Sequence, residues 1–456
     1  MLMSRATIAS LVLLAAVCVI YLPDVGHGFI RDDAGWVGRN QLSSWSDARE
    51  LLQARTGLFR PAVSFSFAAE RRACGVRPLC YGLTNFVLLI ACAIGVVVLA
   101  RALSLSVGAA LLAGAIWVLN WHGISSAVLW ISGRSALLLV LFATLSAASF
   151  IRGRWILAAA FAGAAMLSKE EAVLVPAALL GWAIVDAVSE KRPFLSRRNV
   201  GFLILSSVVG VGYYLLRTRS GALTASSAPA YYRLDFSIAR LLSNGPEYLD
   251  RSLTFTVAVL VLFWVLFRPT LRDSMRPHAR LVEFAAVWWL CGFAITMFIP
   301  VRSSLYACSP SIGFGIAAAA MLQDAWLRLD SPRRARAIRL GLAIPFVLWP
   351  VYHLRNKDLV DATDVSARTV AALQHIADTR GENTVVVLKD NRSRRASIDT
   401  AFGTGLQEVV DLVVTPRIDV WMDPPPADAD LGGISPAPQH SDVTLRLLNG
   451  ELVQER

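Results

Sequence analysis

Charge is scarce in this chain of 456 residues: Asp, Glu, Lys and Arg make up 17% of it, while 55% is hydrophobic. Ordinary soluble domains carry about 25% charged residues. With a mean hydropathy of +0.53, a soluble globule is excluded, since it would need an implausibly large dry core. The six cysteines, Cys18, Cys74, Cys80, Cys92, Cys291 and Cys308, include no CxxC pair and no histidine at zinc spacing. That argues against a structural metal or a redox centre. No internal repeat of about 20 to 50 residues is present, which excludes solenoids. Acidic residues are also in deficit, 33 against 44 basic, for a net charge of +11. The basic residues sit mostly in short loops between apolar runs, a pattern that orients a chain in a bilayer and excludes a nucleic-acid partner.

What is present is a series of apolar runs near the length of about 20 residues that spans a bilayer. The clearest cover residues 7–23, 82–100, 134–150, 171–188, 200–216, 252–267, 281–300, 304–322 and 338–354. Shorter runs at 107–119 and 155–167 must also cross if the loops are to fall on consistent sides. The expectation is an all-α polytopic membrane protein of about eleven transmembrane helices. The first run ends in Tyr21-Leu22-Pro23 without an A-x-A-like cleavage site and is read as retained. With the N-terminus cytoplasmic, every inside loop carries basic residues, from Arg101 and Arg152 to the clusters at Lys191–Arg198, Arg268–Arg280 and Arg328–Arg339.

An odd span count puts the last hundred or so residues outside. The division expected is a transmembrane domain over 1–354, with a first outer loop at 24–81, and a small soluble extracytoplasmic α/β domain over 355–456. In that tail an amphipathic stretch, Val365 to Thr379, precedes an apolar run, Thr384 to Leu388, and a helix-like stretch, Ala401 to Leu412. Val443 to Leu448, Asn449-Gly450 and Leu452-Val453 then read as a hairpin.

The chemistry-bearing residues gather on the outer side. The first loop opens with Gly26-His27-Gly28-Phe29-Ile30-Arg31-Asp32-Asp33, and adjacent carboxylates can act as a general base, a metal-ligand pair or an acceptor clamp. A lone Asp-Asp pair is more often surface decoration. Here it has company: Arg60 in Phe59-Arg60-Pro61, Asn85 entering the second span, Arg134 in Ile131-Ser132-Gly133-Arg134, the Ser168-Lys169-Glu170-Glu171 turn, and Arg302 followed by Tyr306. Charged residues at span ends are commonly snorkelling anchors, yet all of these fall on one face. The segment before Lys169 is only about 13 residues, roughly 20 Å of helix, too short to cross about 30 Å of hydrocarbon. Lys169 and Glu170 are therefore placed below the outer surface, where an ionisable residue suggests function.

In order, these pieces resemble the GT-C superfamily of membrane glycosyltransferases, and within it the membrane part of tetratricopeptide-containing O-mannosyltransferases and their bacterial relatives. The resemblance covers about the first 320 residues and rests on G-x-F-x-x-D-D with a following Asn (Gly26 or Gly28, Phe29, Asp32, Asp33, Asn40), aromatic-Arg-Pro (Phe59 to Pro61), the second-span Asn85, I-x-G-R (Ile131 to Arg134), L-S-K-E (Leu167 to Glu170) and an Arg upstream of L-Y-x-x-S/P (Arg302, Tyr306, Ser311). The chain departs from the family pattern at Gly82, Leu89 and Val301, and no tetratricopeptide array follows.

The resemblance implies an inverting transfer of a sugar from a polyprenyl-phosphate donor to a protein, lipid or glycan acceptor on the outer face, in a bacterial inner membrane. It implies Asp32 as base with Asp33 supporting it; Arg302, Lys169 and Arg134 as donor-phosphate ligands; and Arg60, Glu170, Asn40, Asn85 and Tyr306 as supporting or substrate-binding residues. The resemblance fixes no cofactor, and a divalent cation at the carboxylate pair stays open. A transporter or a non-catalytic scaffold are the other classes. A transporter would show broken helices at matching places in two halves, and a scaffold would not depend on the outer charges.

Overall fold

A computed structural model of the chain describes residues 5–54, 57–224, 227–267, 278–390, 397–426, 438, 440–448 and 451–455. The Asn449-Gly450 turn and the basic residues Arg268, Arg272 and Arg276 lie outside the described residues. Six described helices are long and apolar enough to cross a bilayer: Thr7–Asp24, Pro78–Ala102, Ile131–Ile151, Glu170–Ser189, Arg197–Arg219 and Ile238–Phe267. A seventh crossing arises if Val107–Val118 and Trp121–Leu129, which meet at a 72° bend, form one broken span. The chain is a multi-pass membrane protein.

This count falls short of the eleven expected, because several apolar runs do not become single long helices. The 155–167 run gives the short helix Trp155–Met166. The 281–300 run stops helically at Phe293 and continues as a 3-10 turn, Thr296–Phe298. The 304–322 run opens with another, Ser304–Ala307, and is α-helical only from Ser311. Non-helical backbone at membrane depth is tolerated where it is buried in protein or lines a cavity, and these breaks all fall next to the charged turns described below.

Small residues let the short helix pack closely despite its length. Ala158, Ala159, Ala162 and Ala165 are all fully buried, and the helix lies between Arg134–Ile151 and Arg197–Arg219. At the bend, Gly123 has φ +86°, and a Cβ there would stand 2.4 Å from the Ser304 carbonyl oxygen. Only glycine accepts both the left-handed backbone and that approach.

The C-terminal part begins inside a 50-residue helix, Ser331–Arg380. Asp330 caps it, its carboxylate accepting the Arg333 backbone N–H at 2.9 Å. It runs through position 354 unbroken, as the sequence has neither glycine nor proline between Val351 and Arg380. A four-stranded sheet follows, ordered β2-β1-β3-β4, with β1 Val385–Lys389, β2 Asp419–Asp423, β3 Val443–Leu448 and β4 Glu451–Gln454. β1 is parallel to β2 and β3, and β3 is antiparallel to β4. Two short helices, Ile398–Phe402 and Leu406–Val413, complete it.

This sheet does not have a core of its own. Val386, Leu388, Phe402, Val409 and Leu445 share one buried cluster with Phe29, Ile30, Trp36, Val37, Phe67 and Tyr81 of the 24–81 loop and the start of the next span. Burial of that shared apolar surface, at about 25 cal/mol per Å², holds the 24–81 loop and the C-terminal residues together as a single layer over the helices.

Candidate active site

The first loop is pinned at its acidic pair. Arg31 takes a left-handed backbone, φ +52°, and its N–H donates to the Ala401 carbonyl at 2.8 Å. Asp32 follows at the N-terminal cap of the helix Asp33–Arg39. The two carboxylates then part company. Asp33 is fully buried and accepts from the Ile30 N–H at 3.0 Å, the Ser132 N–H at 2.8 Å and the Ser132 hydroxyl at 2.6 Å. Burial, and next the charge of Asp32, push its pKa up to about 7, while those hydrogen bonds pull the other way. Asp32 accepts one indole N–H, from Trp36 at 3.3 Å, and lines a cavity of about 690 Å³. The surrounding protein raises it above the ordinary aspartate range, an effect that Trp36, Ser132 and the Arg60 charge partly offset.

Arg134 and Asn85 lie beneath this loop, away from the cavity. The Arg134 guanidinium is fully buried. It forms an ion pair with Glu70 at 2.6 Å and donates to Asn85 Oδ1 at 2.9 Å, the Tyr81 carbonyl at 3.2 Å and Ser66 Oγ at 3.5 Å. It also stacks 4.2 Å over the Phe67 ring. Asn85 Nδ2 in turn holds the Trp130 and Ile131 carbonyls at 3.1 and 3.0 Å. With these donors engaged and its surface covered, Arg134 is tied to the turn that Asn85 holds. Asn40 is likewise buried, its amide donating to the Trp36 carbonyl at the end of the helix.

The other predicted charged residues form ion pairs outside the cavity wall. Arg60 grips Glu170 in a fork, Nε to Oε2 at 3.0 Å and Nη2 to Oε2 at 2.7 Å. Burial works against the Arg60 charge, but Glu170 outweighs it and raises the Arg60 pKa. Lys169, only 3% exposed, pairs with Glu171 at 2.9 Å and lies 4.6 Å over the Tyr306 ring. The space beside Lys169, Glu171 and Tyr306 is about 30 Å³, room for a water and not for a sugar phosphate. Arg302 donates to Asn244 Oδ1 at 3.0 Å, to Glu247 at 2.7 Å and to the Ser243 hydroxyl. Its side chain remains 38% exposed, and the preceding residue, Val301, lines the Asp32 cavity.

The cavity thus has Asp32 on its wall with two further carboxylates, Asp399 and Glu408, Arg60 acting on Asp32 electrostatically, and Val301, the neighbour of the partly exposed Arg302, at its margin. A hydroxyl held against Asp32 could lose its proton there, and an anion leaving toward Val301 would meet Arg302. Among the described residues no group of three or more His, Cys, Asp or Glu could hold a metal ion. The sequence reading missed several wall residues: Tyr231 and Tyr232 from the segment between Arg219 and Ile238, and Asp399, Thr400 and Glu408 from the C-terminal part. The adjacent tyrosines were a usable signal; the tail residues carried none, since nothing in the sequence says that they fold back onto residue 32. Also missed was the disulfide Cys74–Cys80.

No family profile matches the chain, and no curated protein does. Among solved structures it is similar to ArnT from Cupriavidus metallidurans in the apo state, at 18% identity and a TM-score of 0.48, covering 83% of this chain and 73% of that one. Against the undecaprenyl-phosphate-bound structure of that protein, the TM-score is 0.49 at the same identity and coverage.

Proposed function

We propose that this chain, which resembles GT-C membrane glycosyltransferases, is an inverting transferase that moves a sugar from a polyprenyl-phosphate carrier to an acceptor hydroxyl. The observation that carries the reading is the division of labour within the acidic pair: Asp33 is locked in the scaffold, whereas Asp32 faces the large cavity beside a cationic margin. As the acceptor oxygen attacks the anomeric carbon, its proton passes to the Asp32 carboxylate. The bond from that carbon to the phosphate oxygen breaks, and the electron pair departs with the polyprenyl phosphate. Arg302 stabilises the phosphate. Asp32 then returns its proton to water.

Under this reading the N-terminus is cytoplasmic and the first loop and C-terminal part lie outside, in a bacterial inner membrane. The Cys74–Cys80 disulfide supports that side for the loop, because disulfides persist in oxidising compartments and are rare in the cytosol. The acceptor is a protein, lipid or glycan, and the mannosyl specificity of the resembled family is one candidate among hexoses. The test is release of polyprenyl phosphate by purified, reconstituted protein given a panel of polyprenyl-phosphate hexoses with membrane extract as acceptor source. Release that depends on Asp32 supports transfer. Equal release by wild type and Asp32→Asn leaves a scaffold, and movement of intact lipid-linked sugar without release leaves a transporter.

A further inference from the structure

The C-terminal part stands directly over the candidate base. The helix–turn–helix at 398–413 contributes Asp399, Thr400, Phe402, Gly403, Thr404, Gly405 and Glu408 to the cavity that Asp32 lines. It is fitted tightly there: a Cβ on Gly405 would come within 2.2 Å of the Arg31 carbonyl oxygen, and Glu408 pairs with Arg39. At about 690 Å³ the space matches a typical small-ligand pocket, on the order of 300–1,000 Å³.

Its lining has a definite chemistry. Three carboxylates, Asp32, Asp399 and Glu408, face it with one cation, Arg31, whose guanidinium lies 5.7 Å over the Trp130 ring. A phosphate or carboxylate entering here would meet like charge, whereas hydroxyl groups can donate to each of these acids. Trp130, Tyr231 and Tyr232 supply broad aromatic faces with polar tips, and the two tyrosine rings lie 4.6 Å apart. Among the described residues no strand residue lines the cavity, so they offer no sheet edge there on which an extended peptide could pair.

We propose that the 399–408 segment and the Trp130, Tyr231 and Tyr232 rings form an acceptor subsite for a neutral, hydroxyl-rich carbohydrate. The proposal rests on the transferase reading and narrows its acceptor to a glycan. Aromatic faces cover the C–H side of a sugar ring, the carboxylates take its hydroxyls, and one hydroxyl is left against Asp32.

The test uses the full-length protein in nanodiscs and follows tryptophan fluorescence and thermal midpoint while titrating neutral hexose disaccharides, their phosphorylated and uronate counterparts, and a Ser/Thr-rich peptide. Polyprenyl phosphate is titrated separately. The expected result is saturable binding of at least one neutral disaccharide, at least tenfold weaker binding of its anionic counterparts, and at least a tenfold loss in Asp399→Asn with polyprenyl phosphate binding unchanged. Tyr231→Ala, on the opposite wall, should show the same loss and serves if Asp399→Asn does not fold. Tighter binding of the anionic sugars, or of the peptide, overturns the acceptor class. Absence of saccharide binding while polyprenyl phosphate binds overturns the subsite and leaves the transferase reading standing. Saccharide binding without any binding of polyprenyl phosphate counts against the transferase reading instead.

Discussion

Asp33 reaches Ser132, 99 residues further along the chain, and takes two hydrogen bonds from it, one from the backbone N–H and one from the hydroxyl. That joint ties the acidic loop to the turn leading into the Ile131–Ile151 span, and it separates the two carboxylates of the pair by function. Asp33 is expected to support the structure and Asp32 to act on substrate. Asp33→Ala should lower the thermal midpoint by several degrees, and Ser132→Ala should do so less because the backbone donor survives. Asp33→Asn that abolishes turnover in a protein melting like wild type would reverse the roles.

Asp32→Asn keeps the shape and removes the proton acceptor. Turnover of lipid-linked sugar should fall by about 10² to 10⁴, with the detergent elution profile and melting curve unchanged. Near-normal turnover would remove Asp32 from the reaction.

Arg302→Lys retains the charge and loses the planar fork that now spans Asn244 and Glu247. Donor KM should rise about tenfold in Arg302→Lys and further in Arg302→Ala, measured at saturating acceptor. Wild-type kinetics in both would make Arg302 a membrane-surface anchor.

The base acts ionised, so activity is present above the pKa of the Asp32–Asp33 pair and lost as pH falls through it. Both are raised, Asp33 to about 7, so the acid limb of kcat/KM should lie above the ordinary aspartate value of about 4 and belong to the pair as a unit. Asp33→Asn removes the neighbouring negative charge and should move that limb to lower pH. An unmoved limb would show that the two do not titrate together.

Arg134 and Glu70 form a buried ion pair at 2.6 Å. Breaking such a pair by deleting one partner costs about 3–5 kcal/mol, so Arg134→Ala should melt well below wild type. If it melts normally and instead loses polyprenyl phosphate binding, Arg134 belongs to the phosphate clamp after all.

Local chemistry was readable in the sequence; long-range placement was not. The brevity of the helix before Lys169 was visible as about 13 apolar residues between charged stretches, and the structure has Trp155–Met166. The strands at 385–389 and 443–448 were legible from their apolar runs, but Asp419–Asp423 was not, because two aspartates bracket it and only Val420 and Met422 turn inward. That Asp33 and Arg134 are fully buried was not legible, since a motif gives residue type and spacing without saying which side chains a neighbour will cover. The same limit hid Asp399 and Glu408, more than 360 residues from Asp32 along the chain.

The shared core of the first loop and the last strands also orders events during synthesis. Phe29, Trp36 and Val37 share that core with Val386, Val409 and Leu445, which leave the ribosome more than 300 residues later. At roughly 5–20 residues per second, the acidic loop would wait roughly 15 to 60 seconds without its apolar partners. A nascent chain stopped after Arg380 should therefore insert its helices yet leave the loop open to added protease, and protection should appear only when the C-terminal strands are complete.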